Sequence, residues 1–176
     1  MSKDWDENIS PLAYLLTFRT YGTWHHGDPR GAVDRKYRNS YRAPKMPVSP
    51  RLIETERANQ KSPSFVFDDM QRLVVDAAIR EVCRHRMYRL HALNVRTNHV
   101  HSVVSSEAKP EKITEAFKSY ATRSLRSSGL VHAGCKIWSR HGSTRYLWKD
   151  EAVVAAINYV LYSQGDEFPN FEELVG

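Results

Sequence analysis

The sequence predicts an α+β sandwich of the ferredoxin-like type: an antiparallel sheet with helices packed on one face and a long loop inserted after the first strand. Three observations carry this expectation. Apolar residues alternate at 12–19, 88–96 and 97–105, and they recur at helical spacing over 68–86 and 110–128. The elements then fall in the order strand, helix, strand, strand, helix, strand, helix, which suits a helix layer on an antiparallel sheet. A chain of 176 residues is long enough to bury its own core, so residues 1–176 are read as one domain.

In LAYLLTFR (12–19), Tyr14, Leu16 and Phe18 fall on one side and Leu15 and Thr17 on the other, the pattern of a largely buried first strand. Residues 22–64 change character. They are polar, basic and rich in proline (Pro29, Pro44, Pro47, Pro50, Pro63), which predicts a loop insertion holding one short helix near 51–60. Asp68, followed three residues later by Gln71, predicts an N-cap for a helix whose apolar face is Met70, Leu73, Val74, Ala77, Ala78 and Val82. YRLHALNVR (88–96) and TNHVHSVVS (97–105) read as adjacent strands with a turn at Thr97 and Asn98.

The next helix starts at Pro110 with Glu111 and Glu115 early, Arg123 and Arg126 late and Gly129 just past its end, all favourable to the helix dipole. KIWSRHGSTRYLWK (136–149) reads as extended chain broken at Gly142. Asp150 is expected to cap a last helix that Gly165 ends, and an acidic, loose tail is expected at 166–176.

Composition narrows the function. The chain carries 26 Lys plus Arg against 20 Asp plus Glu, a net charge of +6, with a pI near 9.4. That balance favours polyanions, nucleic acid first. The N-terminus has no apolar leader, and the longest apolar run, AVVAAI (152–157), is too short to span a bilayer. Cys83 and Cys135 stand apart with no metal or disulfide spacing, which points to a reducing compartment. The expectation is a cytoplasmic protein with no membrane partner.

Residues two apart on a strand share a face, so His99 and His101 stand side by side while Val100 points the other way. Two neutral imidazoles can share a divalent cation. A structural histidine pair fits the same spacing, because so short a motif also arises by chance. On the following helix Ile113, Phe117, Tyr120 and Ser124 share a face. If that face packs near the histidine strand, the Tyr120 phenol reaches the same site; otherwise Tyr120 is an amphipathic core residue.

RKYRNSYRAPK (35–45) interleaves Arg35, Lys36, Arg38, Arg42 and Lys45 with Tyr37 and Tyr41 and has no acidic residue. Cations can hold phosphates there while tyrosines stack on unpaired bases, although a solvated basic loop has the same composition. Lys118 and Arg123 could extend a DNA-facing surface along the Tyr120 helix. His25 and His26 are adjacent, so in extended chain they point apart and do not suit one metal.

LLTFRT in the first strand, NHVH, and FKSYATRSL followed by IWSRHGS resemble the tyrosine transposases of the IS200/IS605 type, nearest the REP-associated branch. The resemblance runs over most of the chain. It implies a ferredoxin-like HUH endonuclease domain acting on single-stranded or hairpin DNA as a monomer or homodimer. His99 and His101 would hold a divalent metal ion, Mg or Mn, and Tyr120 would be the nucleophile. Cleavage would leave a 5′-phosphotyrosine and a free 3′-hydroxyl, and joining would reverse it, in DNA transposition or in processing of palindromic repeats. A phenol with a pKa of about 10 needs such help at neutral pH. One position departs from the family pattern: Ser124 stands where members place an amide or carboxylate ligand one turn after the tyrosine, leaving His141, Asn98 or water to serve. A domesticated hairpin-binding protein without chemistry is the alternative. A replication initiator or relaxase fits less well, since no second tyrosine motif or helicase segment is present.

Overall fold

The computed structural model describes residues 10–23 and 48–163. Arg35, Lys36, Arg38, Arg42, His25, His26 and the tail expected at 166–176 lie outside the described residues. Four antiparallel strands, β1 (Ala13–Thr20), β2 (Arg89–Val95), β3 (His99–Ser105) and β4 (Trp138–Leu147), form one sheet in the order β2-β3-β1-β4. That order and the intervening helices bear out the ferredoxin-like sandwich. Among the described residues four helices accompany the strands: α1 (Pro50–Ala58), α2 (Asp69–His85), α3 (Pro110–Ser127) and α4 (Asp150–Tyr162).

Local chemistry explains most boundaries. Ser49 caps α1, accepting from the Leu52 amide at 3.4 Å, with Pro50 in the first turn. Asp68 and Gln71 form a reciprocal capping box on α2: the Asp68 Oδ1 accepts from the Gln71 amide at 2.8 Å, and the Gln71 Oε1 accepts from the Asp68 amide at 3.1 Å. Met87 (φ 56°) ends α2 in the left-handed conformation usual for a glycine, and the Tyr88 amide closes the turn on the Cys83 carbonyl at 2.8 Å. Gly129 (φ 70°) does the same for α3, with the Leu130 amide donating to Leu125 O at 3.0 Å. Asp150 is the first residue of α4 and not its cap; Lys149 holds that position, and the acidic first turn, Asp150 and Glu151, still complements the dipole.

The expected break at Gly142 is absent. β4 runs through it, because a Cβ at Gly142 would stand 2.6 Å from the Thr17 carbonyl oxygen. Glycine lets the two strands approach there. The irregularity lies one step on, where the β1–β4 register shifts between Phe18 and Thr20.

The sheet separates two unequal layers. On one face Tyr14, Leu16, Phe18, Val100 and Val104 pack beneath α2 and α3, meeting Val75, Ile79, Val82, Ile113, Phe117 and Leu125. Trp138 completes this core, 5.2 Å from the Phe18 ring and 5.3 Å from the Phe67 ring, and its Nε1 donates to Thr122 Oγ1 at 3.0 Å. On the other face a smaller cluster, Ala13, Ala92, Val103 and Leu147, meets Ala156 and Val160 of α4. Helices on one face therefore describes α2 and α3 only. α4 packs on the opposite side, a difference with consequences for the site. Among the described residues no helix is long and apolar enough to cross a membrane.

Candidate active site

The face under α4 is where the sheet becomes polar. Directly opposed residues of neighbouring antiparallel strands share a face, and the register opposes Thr17 and Arg19 of β1 to His101 and His99 of β3, with Asn94 of β2 opposite His101. Ser143 of β4 opposes Thr17. A row Ser143, Thr17, His101, Asn94 thus crosses all four strands. The expected pairing of the two imidazoles is met: the His99 and His101 ring centroids are 4.7 Å apart at an interplanar angle of 81°.

Both rings are held through the same nitrogen. His99 Nδ1 lies 2.6 Å from Asn98 Oδ1, and His101 Nδ1 lies 2.7 Å from Thr17 Oγ1. The β2–β3 turn that carries Asn98 is itself pinned. Thr20 donates its amide (2.9 Å) and its hydroxyl (3.1 Å) to the Asn98 carbonyl, and the Phe67 amide donates to Thr97 O at 2.7 Å. His101 is buried at 7% exposure, while His99 is half-buried.

Tyr120 is not on this face. α3 packs beneath the other side of the sheet, and Tyr120 rests against that core, its ring 6.5 Å from His85 and under the Arg123 guanidinium at 5.0 Å. The sheet stands between Tyr120 and the histidine pair, so the expectation that α3 would bring the phenol to the two imidazoles is corrected for this chain. Among the described residues, the tyrosine that does meet this pair is Tyr159 of α4, whose ring centroid is 5.6 Å from that of His101 at 78°. It is 43% exposed, within reach of a substrate.

α4 is aligned by the burial of Ala156 and Val160, which leaves Tyr159 at the edge of its packed stripe. The Asn94 side chain adds a polar tie, donating from Nδ2 to the Val160 carbonyl at 2.9 Å. Sequence reasoning passed over Tyr159, Thr17 and Asn94. The available signal was topological: right-handed crossovers place α2 and α3 on one face, so the segment after the last strand must cover the other.

The remaining expected DNA contacts divide. Lys118 donates to the Ser139 carbonyl at 2.8 Å and to His141 O at 3.4 Å, with its ammonium 5.7 Å from the Phe18 ring. Arg123 is spread over Tyr120. Both belong to α3, away from the histidine face. Among the described residues no group of three or more His, Cys, Asp and Glu could hold a metal ion, so the donor set here is two imidazoles and neutral oxygens.

The four-stranded sheet thus presents a His-Val-His strand beneath a tyrosine-bearing helix. The sequence model of a family described as IS200-like transposases matches residues 59–157, more than half of the chain, and the chain belongs to that family. The match stops two residues short of Tyr159. Among solved structures the chain is similar to a REP-associated tyrosine transposase bound to a REP hairpin, at 13% identity and a TM-score of 0.47, covering 93% of this chain and 72% of that one. It is also similar to a candidate transposase from Deinococcus radiodurans R1, at 15% identity and a TM-score of 0.44, covering 95% of this chain and all of that one. No curated protein matches.

Proposed function

We propose that the chain cleaves and rejoins single-stranded or hairpin DNA through a covalent 5′-phosphotyrosine, with Tyr159 as nucleophile and a divalent cation, Mg or Mn, held by His99 and His101. The observation that carries this reading is the contact of Tyr159 with His101 on the face that the two imidazoles share. Family membership and the net charge of +6 support a nucleic-acid substrate.

The donor set fits a cation that keeps part of its water shell. Two imidazole nitrogens suit Mn, and Mg commonly retains several waters. Ser163, one turn after Tyr159, offers only a hydroxyl, as Ser124 does after Tyr120. When bound, such a cation would stabilise charge developing on a non-bridging phosphate oxygen. Tyr159 Oη forms a bond to phosphorus as the bond from phosphorus to the 3′ oxygen breaks. The phenol proton passes to solvent, and the leaving oxygen takes one up. The phosphotyrosine conserves the energy of the phosphodiester, so an incoming 3′-hydroxyl reverses the step without a nucleotide cofactor.

Arg35, Lys36, Arg38 and Arg42 are proposed phosphate contacts on the strength of their charge and interleaved tyrosines alone. The neutral donors around the imidazoles favour one second reading, a hairpin-binding protein without chemistry, whose binding would be indifferent to EDTA.

The test is an internally labelled hairpin oligonucleotide incubated with Mn²⁺. An SDS-stable protein–DNA adduct is expected from the wild type and should be lost in Tyr159→Phe. An adduct that persists in Tyr159→Phe overturns the assignment of the nucleophile, and EDTA-insensitive binding without any adduct favours the second reading.

A further inference from the structure

The two imidazoles are each held at Nδ1 by a neighbour of a different strand or turn, and that repetition has a chemical meaning. Asn98 Oδ1 is an acceptor, so His99 Nδ1 must donate across the 2.6 Å contact, which puts the ring's lone pair on Nε2. Thr17 can either accept or donate across its 2.7 Å contact with His101 Nδ1. If it donates, the His101 Nε2 carries a proton and cannot bind a metal. If it accepts, both rings take the same tautomer and both offer Nε2.

We infer that Thr17 is a positioning residue that accepts from His101 Nδ1–H, and that Thr17 and Asn98 together set both imidazoles as Nε2 donors toward one divalent cation. The inference deepens the reading of His99 and His101 as metal ligands and rests on it.

Three observations make Thr17 suited to the role. It lies directly opposite His101 in the β1–β3 register, so backbone hydrogen bonding, and not a mobile side chain, sets the separation. Gly142 permits β4 to close against the Thr17 carbonyl, which fixes β1 from its other side. Thr17 is also the polar interruption of a strand whose neighbours Leu16 and Phe18 are wholly buried, and a valine would fill its volume and suit a strand equally well. Packing alone does not call for a hydroxyl at this position. The hydrogen bond does, since outer partners of this kind orient the ring and raise its basicity as a ligand. Asn98 is matched on its side by the three hydrogen bonds that tie its turn to Thr20 and Phe67.

The experiment uses the full chain in three forms: wild type, Thr17→Val and Thr17→Ser. Long-range ¹H–¹⁵N spectra of the imidazoles report the tautomers, electron paramagnetic resonance of free Mn²⁺ reports affinity, and thermal melting reports folding. The wild type is expected to show His101 protonated at Nδ1. Thr17→Val is expected to lose that tautomer preference and to bind Mn²⁺ about 10–100-fold more weakly, with its melting temperature little changed. Thr17→Ser should restore both readouts.

A wild-type His101 protonated at Nε2 overturns the inference, and so does Mn²⁺ affinity in Thr17→Val within about twofold of wild type, below the range expected for an outer-partner loss. Absence of Mn²⁺ binding by a wild type that carries the Nδ1–H tautomer would instead remove the metal reading while leaving the orienting hydrogen bond established.

Discussion

The two faces of the sheet share the same four strands and differ in what covers them. Beneath α2 and α3 lie large side chains in continuous contact, with Phe18, Phe117, Leu16, Ile79 and Leu125 all fully buried. Beneath α4 the apolar cluster is built mainly of alanine and valine, and it gives way within one strand pair to Thr17, His101, His99 and Asn94. The first face supplies folding free energy. The second is thinly packed and keeps its polar groups in register with a tyrosine. Because successive side chains alternate, a single strand can serve both purposes: Val100 and Val104 anchor β3 while His99 and His101 remain on the other face.

The sharpest way to break this division is through the two tyrosines. Tyr159→Phe is expected to reduce the covalent adduct by on the order of 10³-fold or more, as loss of a nucleophile does. Tyr120→Phe, on the far side of the sheet, should leave adduct yield within about twofold of wild type, since it removes no group from the reacting site. Quantitative gel assay of both variants decides it. Equal loss in both would mean that the faces are not chemically distinct.

Stability should follow the opposite order. Phe117→Ala is expected to cost about 3–5 kcal/mol, against about 2 kcal/mol for Val160→Ala under α4. Urea unfolding at matched m-values measures both, and comparable costs would contradict the thin packing of the second face. Gly142→Ala places a Cβ 2.6 Å from the Thr17 carbonyl oxygen. It should destabilise by about 1–3 kcal/mol and weaken adduct formation as well, because β1 carries the polar row on one side and the core on the other.

A smaller effect of opposite sign is expected at Ser102, whose buried hydroxyl has no hydrogen-bond partner among the described residues. Ser102→Ala should raise stability by up to about 1 kcal/mol without altering the site. Least in effect is the thiol contrast. Burial pushes the Cys83 thiol up to about 11, with Arg80 and Arg84 drawing it partly back. Its reactive thiolate is therefore scarce below that pH and accumulates only as pH rises toward it. Iodoacetamide at pH 8 should modify the half-buried Cys135 first, with Cys83 labelled only on unfolding. Equal rates on the folded chain would show that the α2 core opens readily.

Much of the fold was legible. The capping box of Asp68 and Gln71, the start at Pro110 and the left-handed stop at Gly129 are local devices, satisfied by residues within five positions of one another. Gly142 misled because glycine weakens a strand in isolation, whereas here the absence of a side chain is what lets β4 pair with β1. The pairing of His99 with His101 was legible for the same local reason, a period of two. Tyr120 and Tyr159 were not separable in this way. Each lies on an amphipathic helix beside buried residues, and helical periodicity reports that a face is buried without saying which surface buries it.

The amino-acid sequence by itself determined the elements, their ends, and the placing of two imidazoles on one side of a strand, because these depend on backbone geometry over a few residues. Only the tertiary structure decided which tyrosine meets them and which hydroxyl holds His101. Those contacts join residues 58 and 84 positions apart in the chain, and such pairs are fixed by strand order, by register and by the face each helix covers.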